Sequence, residues 1–159
     1  MPENELIPVE LTSENIESMI YWVRGQKVML DFDLARIYGY ETKRFNEQVK
    51  NNSRKFPERY RFQLTEEEIR LISRSKISTS IMQTAGIKGG RVYLPWAFTE
   101  QGIYMLMTVL KGELATIQSI ALIDAFKRMK DYIIENLPQA ARGFFTLIKP
   151  KKLAFPADL

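Results

Sequence analysis

The stretch DLARIYGYETKRFNEQVKNNSRKFPERYRFQL, Asp33 to Leu64, constrains this chain more than any other part of it. Asp33 stands where a carboxylate can cap a short helix over residues 34–38, with Phe32 and Ile37 flanking that start as a hydrophobic staple. Gly39 ends the helix. After the turn Tyr40-Glu41, Thr42 is placed to cap a second helix from Lys43 to about Asn52. Phe45 and Val49, four apart, form its inward face. At about 100° per residue, Lys43, Arg44, Glu47, Lys50 and Asn51 then point outward. Two short helices about a Gly-containing turn, the second basic outside and apolar inside, follow the grammar of a helix-turn-helix unit.

Charge sharpens this reading. Between Lys43 and Arg61 seven basic residues, Lys43, Arg44, Lys50, Arg54, Lys55, Arg59 and Arg61, face only Glu47 and Glu58, a local net of +5. The whole chain carries +4, so everything else sums to about neutral and the positive field is local. A phosphate-binding patch requires that localisation. The bland alternative is a solvated basic helix face, which the clustering disfavours. Lys43, Arg44, Lys50, Arg54, Lys55, Arg59 and Arg61 are the expected phosphate contacts, and Asn46, Gln48, Asn51 and Asn52 belong to the same expected DNA-binding surface. Of these, Asn46, Gln48 and Asn51 are the candidates for reading base edges. Glu47 repels phosphate unless it accepts from cytosine or pairs with Lys43 or Lys50.

Composition narrows the chemistry. At 159 residues with 45% apolar and 26% charged side chains, the chain suits one main buried core. It has no cysteine and no histidine, which removes thiolate metal sites, cysteine nucleophiles and the commonest general base and metal ligand. No enzyme, metal or cofactor is expected. A carboxylate-metal nuclease would rest on Asp31 and Asp33, which share a face only if extended, and no further acidic cluster lies nearby. No apolar run reaches the roughly 20 residues of a membrane span, and the start is acidic where a secretory signal is basic, so a cytoplasmic location is expected.

In chain order, residues 1–17 hold five glutamates and no basic residue and read as an acidic lead-in. SMIYWVRGQKVML, residues 18–30, gives a hairpin signal around Arg24-Gly25-Gln26; the competing pattern is a helix capped at Thr12 or Ser13. Past Phe56-Pro57 the run RFQL reads as a strand, and Thr65 with Glu68 forms a capping box for a helix from Glu66 to about Arg74, with Leu64 and Ile69 as its staple. Residues 75–90 read as a loop, either a plain connection or a basic wing along a phosphate backbone. Residues 91–94 suit a strand that Pro95 closes. Thr99 then caps a helix to about Lys111, stapled by Phe98 and Ile103, and Gly112 stops it. A longer helix over residues 113–135 carries Leu122, Phe126, Met129 and Ile133 on one face, and Leu114, Ile117, Ile120 and Ile123 elsewhere. This surplus suggests a partner helix in a homodimer, with a central core helix of a monomer as the alternative. Residues 137–159 form a Pro-containing tail with apolar patches and three lysines.

The runs VMLDFDLARIYGYETKRFNEQVKNNSRKFPERYRFQLTEEE and LPWAFTEQGIYML also carry a resemblance. The chain resembles, over roughly residues 19–132, the ORF-six N-terminal domain of phage and prophage proteins, kin to the KilA-N and Bro-N domains. The resemblance rests most on LDFDLARIYG, KFPERYRFQLT and AFTEQG. It implies an α+β DNA-binding domain of a phage regulator or antirepressor, without catalysis. Where that family commonly has an Arg-Asn pair before Phe-Pro, this chain has Lys50-Asn51-Asn52-Ser53-Arg54-Lys55. The second, C-terminal domain common in such regulators is not expected within this length.

The expected fold class is α+β: a small antiparallel sheet or hairpins with a helix-turn-helix-like unit, followed by a C-terminal helical pair. Its parts would be the lead-in (1–17), a KilA-N/Bro-N-like DNA-binding domain (18–111), a long helix for core or dimerisation (112–136) and the tail (137–159). The expected partner is double-stranded DNA, with a second copy of the chain and a phage or host regulatory protein as further partners and no membrane. The alternative is an antirepressor-like module that binds a repressor and not DNA.

Overall fold

The computed structural model describes residues 11–75 and 93–139, and the expected wing and most of the tail lie outside them. The described chain divides into two compact units at Leu122/Ile123.

The first unit is built on a four-stranded antiparallel sheet of order β1-β2-β4-β3. β1 (Ile20–Val23) and β2 (Gln26–Leu30) form the expected hairpin. Arg24 and Gly25 turn it with φ of 53° and 75°. Positive φ at both central residues matches the right-handed twist of the flanking strands. The helical alternative also contributes: Thr12 caps α1 (Ser13–Ser18), its Oγ1 accepting from the Asn15 N–H at 3.1 Å. Ile16 of that helix is fully buried, so part of the acidic lead-in is packed structure.

α2 (Asp31–Tyr38) starts earlier than expected, directly from β2, and Asp33 does not cap it. Leu30 occupies the capping position in extended geometry, and the first-turn carboxylates Asp31 and Asp33 complement the exposed N–H groups. The staple positions become Met29 and Leu34, both fully buried. Gly39, at φ 74°, ends α2 as expected. Its N–H reaches the Arg36 carbonyl and the Tyr40 N–H the Ala35 carbonyl, the double bond of a Schellman close.

α3 (Thr42–Lys50) likewise begins one residue early, because Glu41 takes the extended capping position and Thr42 is already helical. It ends at Lys50, and a single 3-10 turn, Ser53–Lys55, follows. Phe45 and Val49 are fully buried, as their spacing requires. β3 is Arg61–Gln63, and α4 spans Glu66–Ser75. Its capping box is reciprocal: Glu68 N–H donates to Thr65 Oγ1 at 3.1 Å and Thr65 N–H to Glu68 Oε1 at 2.9 Å. Arg24, held in the left-handed region at the hairpin turn, donates to both oxygens of the same Glu68 and ties hairpin to helix.

Of the strand expected over residues 91–94, 91 and 92 lie outside the described residues and Tyr93 and Leu94 are not in a strand; β4 (Trp96–Thr99) follows Pro95. Pro95 has no N–H and cannot sit inside a ladder, yet its carbonyl accepts from the Leu64 N–H at 2.9 Å. β4 pairs with both β2 and β3, Phe98 lying opposite Met29 and Arg61. One sheet face carries Tyr21, Val23, Val28, Leu30, Phe62 and Ala97 against Ile69 and Ile72 of α4. On the other, Phe98 meets Phe45 and Phe56 edge-on at 5.7 and 5.9 Å, which seats α3 against the sheet.

Thr99 caps α5 (Glu100–Leu106) as expected, accepting from the Gly102 N–H at 3.3 Å. The helix ends short of Lys111, because the N–H groups of Met107, Thr108 and Val109 bond three residues back and Thr108 Oγ1 also takes the Met105 carbonyl. α6 is Glu113–Glu135. Its first part holds α2 by that helix's C-terminal end: Gln118 Nε2 donates to the Ile37 carbonyl at 2.9 Å, and the Tyr38 hydroxyl bonds Ser119 at 2.8 Å. Burial pushes the Tyr38 phenol up to about 12.

In the second unit, Lys127 and Asp131 pair one turn apart at 2.6 Å, and Asn136 donates to the Tyr132 carbonyl. Among the described residues no helix is long and apolar enough to cross a membrane.

Candidate nucleic-acid interface

α3 is the most basic element at the surface of the first unit, and the sheet beneath it decides which of its side chains are free. Lys43, Arg44, Gln48, Lys50 and Asn51 are exposed, as are Arg54 and Arg59 beyond the helix. Two directions emerge. Lys43, Glu47 and Lys50 line one side of an open cleft of about 820 Å³, whose wall is Arg61, Tyr93 and Trp96. Arg44, Gln48 and Asn51 lie about 100° round the helix from it.

Five of the expected DNA-binding residues make contacts within the fold. Asn46 is half-buried and donates its amide to Asp31 Oδ2 and to the Tyr93 hydroxyl, each at 2.9 Å. Asn52 donates to the Gln48 carbonyl at 2.9 Å, satisfying the end of α3. Lys55 donates to Thr108 Oγ1 at 3.2 Å. The Arg61 guanidinium carbon stands 4.0 Å from the Trp96 ring centroid, and that of Arg59 5.1 Å from the Tyr60 centroid. Among the described residues no ion pair joins Glu47 to Lys43 or Lys50, so its charge stays in the cleft beside theirs.

Beneath the cleft sits a buried carboxylate, Asp31, which the sequence offers only as half of a metal pair with Asp33. Asp31 accepts from Asn46 and from the Tyr93 hydroxyl through Oδ2, and from its neighbour's N–H, Phe32, through Oδ1. Burial raises its pKa, with these bonds opposing. Burial also pushes the Tyr93 phenol up, and the adjacent Asp31 charge adds to it. Arg61 is lowered by its own desolvation, against the attraction of Asp31. The carboxylate thus joins α2 to α3 and to the entry of β4. The signal in the sequence is an acidic residue inside the apolar run VMLDFDL, which demands buried donors. Asp31 and Asp33 are two apart on a helix and so point about 200° apart, which removes the shared face that a metal pair would need.

The AFTEQG segment holds the loop before β3. Thr99 Oγ1 donates to the Arg59 carbonyl at 3.0 Å, and the Thr99 N–H donates to the Tyr60 carbonyl at 3.0 Å. Arg59 and Arg61 flank Tyr60, so their backbone positions depend on that clamp.

Comparison with known proteins gives a family. A family model described as the ORF6N domain matches residues 18–109, which take in the sheet, α2 to α5 and the cleft. No curated protein and no solved structure matches the chain.

Proposed function

The chain belongs to the phage-associated ORF6N domain family, and on that premise we propose that it is a regulatory protein that binds double-stranded DNA through α3. The observation that carries this is the exposed row Lys43, Arg44, Lys50 and Asn51 on a helix anchored by Phe45 and Val49, in a chain otherwise near neutral. α2 and α3, joined by Gly39 to Glu41, act as a helix-turn-helix pair, with Arg54 and Arg59 extending the contact along the phosphates. Arg44, Gln48 and Asn51 are the side chains that reach base edges, since Asn46 is held by Asp31.

The test is the anisotropy of a labelled random-sequence duplex across a salt series. Binding that weakens linearly in log salt supports the reading, and absence of binding at low salt removes it. A second reading, a protein-interaction module of antirepressor type, draws on Ile117 and Ile120 of α6, each 54% exposed. Such a module binds a repressor and not DNA, so it predicts no duplex binding at low salt, and loss of association in sedimentation for Ile117→Ser with Ile120→Ser.

A further inference from the structure

The cleft beside α3 is shaped for more than a phosphate backbone passing over it. At about 820 Å³ it falls in the range of organic-ligand pockets, about 300–1,000 Å³, and is wide for a lone anion. Its wall holds the Arg61 guanidinium carbon 4.0 Å from the Trp96 ring centroid, with Tyr93 also lining it. Among the described residues Arg61 lacks an acceptor. Its Nε is shielded from solvent with no hydrogen-bond partner, and no salt bridge to it forms among those residues. Asp31, the carboxylate that attracts it, is engaged by Asn46, Tyr93 and the Phe32 N–H. Opposite this wall stand Lys43 and Lys50, two exposed cations about two turns apart, with the exposed Glu47 between them.

A flat surface, an acceptor-poor guanidinium and two cations across a gap complement a flat aromatic ring that carries a phosphate. A base paired within a duplex offers neither face to a side chain, whereas an unstacked one offers a face, polar edges and its phosphate together. We propose that this cleft receives a single unstacked nucleotide, its phosphate at Lys50, its base against Arg61 and Trp96, and Glu47 accepting from a base N–H. The inference rests on the DNA-binding reading where the nucleotide comes from a strand; a free mononucleotide has the same chemistry.

Trp22 and Trp96 are the two tryptophans, and Trp22 is 68% exposed, so Trp22→Phe leaves Trp96 as a reporter inside the cleft. That protein is titrated with single-stranded oligothymidylate, with the same strand paired to oligodeoxyadenylate, and with thymidine monophosphate. Fluorescein anisotropy of each oligonucleotide is read in parallel. The expected result is a saturable change in Trp96 emission with the single strand. Affinity of this protein for the single strand should exceed that of its Arg61→Gln variant by about 5- to 150-fold, the span of one base-stacking contact. Arg61→Gln abolishes the emission change, and the surface variant Lys50→Ala, which leaves the cleft floor intact, weakens it. An equal response to the monophosphate assigns the site to free nucleotides; response to the strand alone assigns it to DNA. Silent Trp96 emission while anisotropy reports duplex binding overturns the cleft and leaves DNA binding by α3 standing. Silence in both overturns the two together.

Discussion

A β-carbon on Gly102 would stand 2.0 Å from the carbonyl oxygen of Tyr60 and 2.9 Å from its carbonyl carbon. Both atoms are backbone, and that oxygen already accepts from Thr99, so neither side can yield cheaply. Helix propensity alone predicts that Gly102→Ala stabilises α5 by about 1 kcal/mol. The clash reverses the sign: a net loss of about 2 kcal/mol is expected in urea denaturation, with weaker duplex binding because Arg59 and Arg61 move with Tyr60.

Lys43 and Lys50 are exposed and off the buried Phe45/Val49 face. Lys43→Ala and Lys50→Ala should each lower the slope of log affinity against log salt by about 0.9 for each phosphate no longer neutralised, with unfolding free energy within about 0.5 kcal/mol of the parent. An unchanged slope in both variants would place the phosphate-binding surface elsewhere.

The Arg24 guanidinium, bonded to Glu68, holds that carboxyl below the ordinary glutamate value of 4.5, and the Thr65 N–H assists. A folded value depressed below the unfolded one means stability that is fully present above about 4.5 and lost as pH falls through the folded value. The stability advantage of the parent over Glu68→Gln should therefore be greatest at neutral pH and shrink on acidification below 4.5. Thr65→Ala, which removes the other half of the box, should cost about 1 kcal/mol at neutral pH.

Asp31 has the opposite sign. Its folded value is raised by burial above the ordinary 3.8, so the folded state holds the proton more tightly and stability from this group falls as pH rises through that interval. Asn46→Ala removes one of its donors and should cost about 1–3 kcal/mol in chemical denaturation at neutral pH. If Asn46 instead serves only to read bases, stability will be unchanged and duplex affinity alone will fall.

Local codes are readable in the sequence wherever the partners stand within a few residues. Thr65 and Glu68 are three apart, Thr99 and Gly102 likewise, and Gly39 closes α2 through bonds to the preceding turn. Each is a backbone need met by a nearby side chain or by a glycine. The pattern misleads where a strand delivers the chain directly into a helix: β2 runs into α2 without a spacer, so an acidic residue two places in looks like a cap. The cleft itself is not legible. Arg61 meets Trp96 and Asp31 meets Tyr93 only because β3 and β4 pair in one register and α3 lies across them. No spacing rule spans 35 or 62 residues, and Asn46 reads as a base-contacting residue because its partner Tyr93 lies beyond any local window.

The order β1-β2-β4-β3 puts the last strand made into an interior slot. Until Thr99 has left the ribosome, the hairpin completed at Leu30 has no neighbour on its inner edge, and Phe45 and Phe56 have no Phe98 to close on. At about 5–20 residues per second, that wait lasts roughly 3–14 seconds of synthesis. The sheet is therefore completed late, and a chain arrested before Trp96 leaves β2 and β3 with unpaired edges and an open aromatic core.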